Sequence, residues 1–145
     1  MVEQQATLVC NTEAELGQIA KKIIAFAGGD KVWLFFGEMG AGKTTLIKSI
    51  CAAYHVTDAV SSPTFSLVNE YRSKENQIFY HFDFYRIQDE TEAMDIGCDE
   101  YFYSGYYCFV EWPEKIVSLF PERYVVIEVS AREDQSRSIV LSKHE

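Results

Sequence analysis

Residues 31–54 read Lys31-Val32-Trp33-Leu34-Phe35-Phe36, then Gly37-Glu38-Met39-Gly40-Ala41-Gly42-Lys43-Thr44, then a run from Thr45 to Tyr54. The first six residues are short, apolar and aromatic, the pattern of a buried strand. The middle eight match G-x-x-x-x-G-K-[ST], and a helical stretch runs from Lys43 to about Tyr54. Strand, loop and helix in that order are the context this motif needs in order to cradle phosphates. Glycine lets the backbone turn tightly and approach an anion with no Cβ in the way. Successive N–H groups form a concave nest, and the helix N-terminus adds positive potential. In such a loop Lys43 reaches the β- and γ-phosphates, and the Thr44 hydroxyl ligates Mg2+. The competing reading is a glycine-rich turn without a ligand. A chance match in a chain of this length is well below about 1% at ordinary residue frequencies.

Working outward, Ala6 to Cys10 is a candidate strand. Thr12 and Glu15 have capping-box spacing. Leu16, Ile19, Ala20, Ile23, Ile24 and Ala27 recur at helical spacing until Gly28-Gly29 stops them. On the other side, Ser61-Ser62-Pro63-Thr64 reads as a loop. Phe65 to Tyr71 and Gln77 to Tyr85 read as a hairpin joined by Arg72 to Asn76. Asp89 and Glu92 mark a helix start and Gly97 its stop. Tyr106 to Glu111 is another buried strand, Pro113 to Leu119 a short helix, and Tyr124 to Ser130 with Ser138 to Ser142 the closing strands. Interspersed helices and strands predict an α/β fold: a P-loop NTPase-like three-layer sandwich. Its central, mostly parallel sheet carries added antiparallel strands, with helices on both faces.

Magnesium needs an acidic partner, and two strand ends offer one. Asp83 follows Ile78-Phe79-Tyr80-His81-Phe82, and Glu111 follows Tyr106-Tyr107-Cys108-Phe109-Val110. Parallel strands beside the loop strand bring both carboxylates to the sheet edge where open α/β folds bind ligands. One would hold the metal and the other orient the attacking water. Either is also explained as a solvated strand-end carboxylate, and which of the two touches Mg2+ is left open. The chain has no N-K-x-D base-reading motif, which favours ATP over GTP. Arg86 is a candidate charge stabiliser, or one half of a surface ion pair.

Composition sets the wider limits. The chain has 145 residues, 48% of them hydrophobic and 14% aromatic, enough for one domain (1–145) with a real core and too apolar for disorder. A net charge of −9 argues against a broad nucleic-acid-binding face, so no direct DNA binding is expected. The N-terminus lacks a secretory pattern, and no apolar run approaches the roughly 20 residues a membrane span needs. Cys10, Cys51, Cys98 and Cys108 form no C-x-x-C pair and read as buried free thiols of a cytoplasmic protein.

Beyond the loop, three more blocks follow in order: Ser62-Pro63-Thr64-Phe65 leading to Glu70-Tyr71, His81-Phe82-Asp83-Phe84-Tyr85-Arg86, and Glu111-Trp112-Pro113-Glu114-Lys115. With Gly37 to Thr45 they make the chain resemble the bacterial TsaE (YjeE) family over nearly its whole length. The resemblance implies an ATPase that serves the complex transferring a threonylcarbamoyl group onto adenosine beside the tRNA anticodon. Partners of TsaD and TsaB type are implied, with tRNA met only through them. It implies Gly37, Glu38, Met39, Gly40, Ala41, Gly42, Lys43, Thr44 and Thr45 at the nucleotide. It also implies Glu111 as the Mg2+ ligand beside Thr44, Asp83 as the second acid, Thr64 on a switch-like segment near the γ-phosphate, and Trp112 beside the site. Thr12 and Arg137 are implied at the base, although Thr12 is also explained as a helix cap and Arg137 as a surface residue. Family members often carry Asp or Asn in place of Glu38 and Leu in place of Met39. The aromatic segment Asp99 to Tyr107 reads mostly as packing. Two other functions fit the loop: a small-molecule kinase, disfavoured by the five arginines, and a non-catalytic nucleotide-sensing module.

Overall fold

The computed structural model describes residues 2–64 and 66–145, with residues 2 and 3 described by backbone alone. In chain order the elements are β1 (Val2–Cys10), α1 (Leu16–Ala27), β2 (Val32–Phe36), α2 (Lys43–Ala53), β3 (Val68–Arg72), β4 (Ile78–Asp83), α3 (Glu90–Asp95), α4 (Cys98–Phe102), β5 (Tyr107–Glu111), β6 (Tyr124–Ala131) and β7 (Arg137–His144). They form one seven-stranded sheet in the order β1-β7-β6-β2-β5-β4-β3. The four strands β6, β2, β5 and β4 are parallel, and β7, β1 and β3 add antiparallel at the two sides.

Side-chain alternation splits the core into two layers. From β2, Trp33 and Phe35 join Ile19 and Ile23 of α1 and Leu46 and Ile50 of α2. Val32 and Leu34 point the other way, to Ala93 of α3, Cys98 and Phe102 of α4, and Ile116. Trp33, Phe35, Phe79 and Phe109 are fully buried, each contributing about 1.5–3 kcal/mol by leaving water. The same alternation puts His81, Asp83 and Glu111 in phase with Phe79 and Phe109, on the side of α2. The C-terminal ends of β4 and β5 therefore hand their polar residues to the helix that follows the phosphate loop.

Several local expectations shift. β3 begins at Val68, not at Phe65, because 66–67 bend and Ser66 donates its hydroxyl to Val68 O at 3.0 Å; Phe65 itself lies outside the described residues. Thr12 precedes a single 3-10 turn, and its side chain makes no capping hydrogen bond. Glu15 instead accepts from the Asn11 N–H at 2.8 Å. Gly97, with φ of 83°, ends α3 but also opens α4, a helix the sequence pattern did not suggest. Pro113–Leu119 is not one helix but 3-10 turns kinked at Ile116. All four cysteines are buried free thiols, and burial pushes Cys51, Cys98 and Cys108 up to about 12.

Candidate nucleotide-binding site

The loop from Gly37 to Gly42 is held by close backbone approach. A Cβ on Gly37 would lie 2.6 Å from Val129 O, and one on Gly42, where φ is 102°, would lie 2.9 Å from Arg137 Nε. Ala41 N–H donates to Glu38 O at 3.0 Å, closing the turn, and Met39 is exposed at its tip. Lys43 opens α2 and is nearly buried. Its ammonium donates to Gly37 O and sits 3.7 Å from the centre of the Trp112 ring. Burial pulls the Lys43 ammonium below the ordinary lysine value, against the opposing pull of Glu111, Glu114 and Asp83. Trp112 takes the left-handed conformation at φ of 58°, which turns its ring back over the loop and against Tyr85.

Across the first turn of α2 lies a cluster of oxygens. Thr44 Oγ1 donates to Glu111, 3.0 Å from each carboxylate oxygen, and lies 2.8 Å from Ser62 Oγ. Ser62 Oγ donates to Glu111 Oε2 at 3.2 Å, and His81 Nε2 lies 2.7 Å from the same oxygen. Burial raises the Glu111 carboxyl, but the hydrogen bond and charge of His81, with those from Thr44 and Ser62, hold it below the usual value. Asp83, opposite Glu111 in register, is pushed up, first by burial and then by the Glu111 charge; the Tyr85 N–H at 2.9 Å opposes this. The Thr44 and Ser62 hydroxyls and the Glu111 carboxylate are hard oxygen donors with no sulfur or nitrogen among them, the set that suits Mg2+.

These groups line a cleft of about 760 Å³ that also takes in Thr64, Asp83, Arg86 and Trp112. Thr64 is exposed, and its carbonyl accepts from Arg86 Nη1 at 3.2 Å. A second hollow of about 410 Å³ holds Thr12, Leu16, Leu46 and Ile139. Gly42, Thr45 and Arg137 line both, so the two spaces meet at the start of α2. Glu38 and Met39 face a third opening beside β6. Sequence reasoning singled out neither Ser62, Tyr71 nor His81 as site residues. Each stood within a quoted block, but nothing local to them signals that Ser62 and His81 reach Glu111 from 49 and 30 positions away, or that Tyr71 backs His81.

Comparison with known proteins gives the same frame. A family model described as threonylcarbamoyl adenosine biosynthesis protein TsaE matches residues 10–139. The chain belongs to the TsaE family. The TsaE protein of Bacillus subtilis is 38% identical over 128 residues, 88% of this chain and 79% of that relative. The TsaE protein of Rickettsia bellii is 30% identical over 133 residues, 89% of each chain. The crystal structure of YdiB from Bacillus subtilis is similar over 100% of this chain and 88% of that one, with a TM-score of 0.80 and 30% identity. The family is named for tRNA threonylcarbamoyladenosine biosynthesis, and the strand–loop–helix seen here is consistent with a nucleotide-binding P-loop protein.

Proposed function

We propose that this chain is an ATP-binding and ATP-hydrolysing accessory protein of the complex that places threonylcarbamoyl on adenosine beside the tRNA anticodon. The observation that carries the reading is the meeting of Thr44, Ser62 and Glu111 one turn from Lys43, inside one cleft. In this reading the phosphates lie on the N–H groups of residues 37–45, and Lys43 leaves Gly37 O and Trp112 to take a phosphate oxygen. Bound Mg2+ would supply charge neutralisation on the phosphates, held by Thr44 and Glu111. Asp83 orients water and accepts its proton, a role that suits a carboxyl already raised by burial. Thr64 reports on the γ-phosphate, and the base lies in the smaller hollow between Thr12 and Arg137. The protein works in the cytoplasm on partners of TsaD and TsaB type, and the charge of −9 fits docking to proteins rather than to tRNA directly.

Phosphate release from ATP, measured with the purified chain alone and then with those partners and tRNA, tests this. A large rise that Lys43→Ala abolishes is the expected result. Release that ignores the partners overturns the accessory role. An ATP-dependent phosphorylated small molecule would instead establish a kinase.

A further inference from the structure

The oxygens around Glu111 belong to a longer circuit. His81, with no exposed surface, uses Nε2 on Glu111 Oε2 at 2.7 Å, which leaves Nδ1 2.9 Å from the Tyr71 hydroxyl. That hydroxyl accepts from the Ser61 N–H at 3.1 Å and lies 2.7 Å from Ser61 O. Asn69 Nδ2 also donates to Ser61 O at 3.0 Å, so that carbonyl keeps a partner when the Tyr71 proton turns to His81. The next residue, Ser62, returns to Glu111 through its own hydroxyl at 3.2 Å. The path from Glu111 through His81, Tyr71, Ser61 and Ser62 back to Glu111 is thus a closed ring. It contains three strands' worth of structure: Glu111 ends β5, His81 sits in β4 and Tyr71 in β3.

A ring of this kind has a consequence. The segment 61–64 has no regular secondary structure, and it is fastened at two adjacent residues. One fastening is direct, Ser62 to Glu111. The other runs through two side chains that are locked in register by the pairing of Tyr71 with Phe79 and of His81 with Phe109. The two His81 bonds, to Tyr71 and to Glu111, are buried, and hydrogen bonds linked in this way polarise and orient one another. An occupant that draws on the Thr44, Ser62 and Glu111 oxygens must rearrange one arm while the other still holds.

We propose that His81 and Tyr71 are positioning residues that tie Glu111 to Ser61, so that occupancy of the oxygen cluster and placement of segment 61–64 are set together. The inference rests on the nucleotide reading for its occupant, though the ring stands without one. Tyr71 and His81 touch no reacting atom; they act through Glu111 and the loop. Tyr71 is the cleaner handle, because Tyr71→Phe keeps the ring in the core and removes only the hydroxyl.

Amide exchange resolved at Ser61 and Ser62 is the test, with Tyr71→Phe, His81→Gln and Glu111→Gln beside the parent chain. Without ligand, Tyr71→Phe should speed Ser61 exchange about tenfold, the loss expected for one hydrogen bond. His81→Gln keeps a donor toward Glu111 but breaks the link to Tyr71, and should speed it by a smaller factor. Glu111→Gln should shift the Ser61 signal although the two residues do not touch. Exchange in β2 and β5 should stay as in the parent; a rise there as large as at Ser61 would mean general loosening and overturn the proposal. So would Ser61 and Ser62 signals that ignore both His81→Gln and Glu111→Gln. With Mg2+ and ATP added, the parent should slow exchange at Ser61, Ser62 and Thr64, and Tyr71→Phe should not. If the parent binds no nucleotide, the functional reading fails while the ligand-free comparison still decides the ring.

Discussion

The phosphate loop and the oxygen cluster face each other across the first turn of α2, yet they are built in opposite ways. The loop is one contiguous stretch, Gly37 to Thr44, and its shape is set by backbone approach at Gly37 and Gly42. The cluster draws Thr44, Ser62, Tyr71, His81 and Glu111 from five separate segments. In the loop the residues are neighbours in the chain, and Gly37, Gly42 and Lys43 also meet distant residues: Val129, Arg137 and Trp112. In the cluster each answers to partners set by strand register, and among the described residues no buried side-chain nitrogen or oxygen is left without a partner. A local device tolerates changes elsewhere in the fold; a long-range one is cooperative, and a single deletion strands the others.

The comparison can be broken first at Lys43. Lys43→Ala removes the only loop side chain that brings positive charge to the cleft, and nucleotide affinity by calorimetry should fall by about 100-fold, the scale of a lost charged hydrogen bond or two. Next comes Gly37→Ala. Its Cβ would meet Val129 O, a backbone atom that cannot swing aside, so the fold should lose about 2–3 kcal/mol in urea melts. Within the cluster, Glu111→Gln should weaken Mg2+-ATP by about tenfold and Asp83→Asn by less, since Thr44 and Ser62 donate to Glu111 while the Asp83 bond is to the Tyr85 N–H. Equal losses, or the reverse order, would overturn Glu111 as the metal ligand.

Acid titration sharpens the contrast further. The folded Glu111 carboxyl lies below its ordinary value of 4.5, so its contribution is fully present above that pH and is lost as pH falls through the depressed folded value. Asp83 has the opposite sign: its folded value is raised above 3.8, so the ionised form costs stability above that raised value. In ligand-free melts Glu111→Gln should flatten the acid limb, and Asp83→Asn should raise stability at neutral pH. The smallest expected effect is a control outside both regions. Gly17 lies in α1 with open space around it and no positive φ, so Gly17→Ala should add about 0.5–1 kcal/mol and leave the site unchanged.

Much of this architecture is legible in the sequence alone. Helical spacing from Leu16 to Ala27 ends at Gly28, whose φ of 57° suits glycine, and the apolar run ending at Phe36 is β2. Asp83 and Glu111 ended their strand patterns, and parallel pairing does set them side by side. Other features were hidden for physical reasons. A capping box at Thr12 and Glu15 is a local pattern, but the carboxylate found the Asn11 N–H first. Gly97 reads as a stop, and the burial of Cys98 and the contact of Phe102 with Phe82, distant in the chain, support a second helix.

By itself the sequence determined the strand–loop–helix and the helical face of α1, because these depend on neighbours in the chain or on the repeat of 3.6 residues, while four ordered blocks carried the family resemblance. Only the tertiary structure decided that His81 and Tyr71 lie behind Glu111, that Ser62 lies between Glu111 and Thr44, and that Trp112 covers Lys43. The reason is register. A shift of one residue in β3, β4 or β5 would turn Tyr71, His81 or Glu111 to the other face of the sheet, and no feature of the chain around each residue carries that choice.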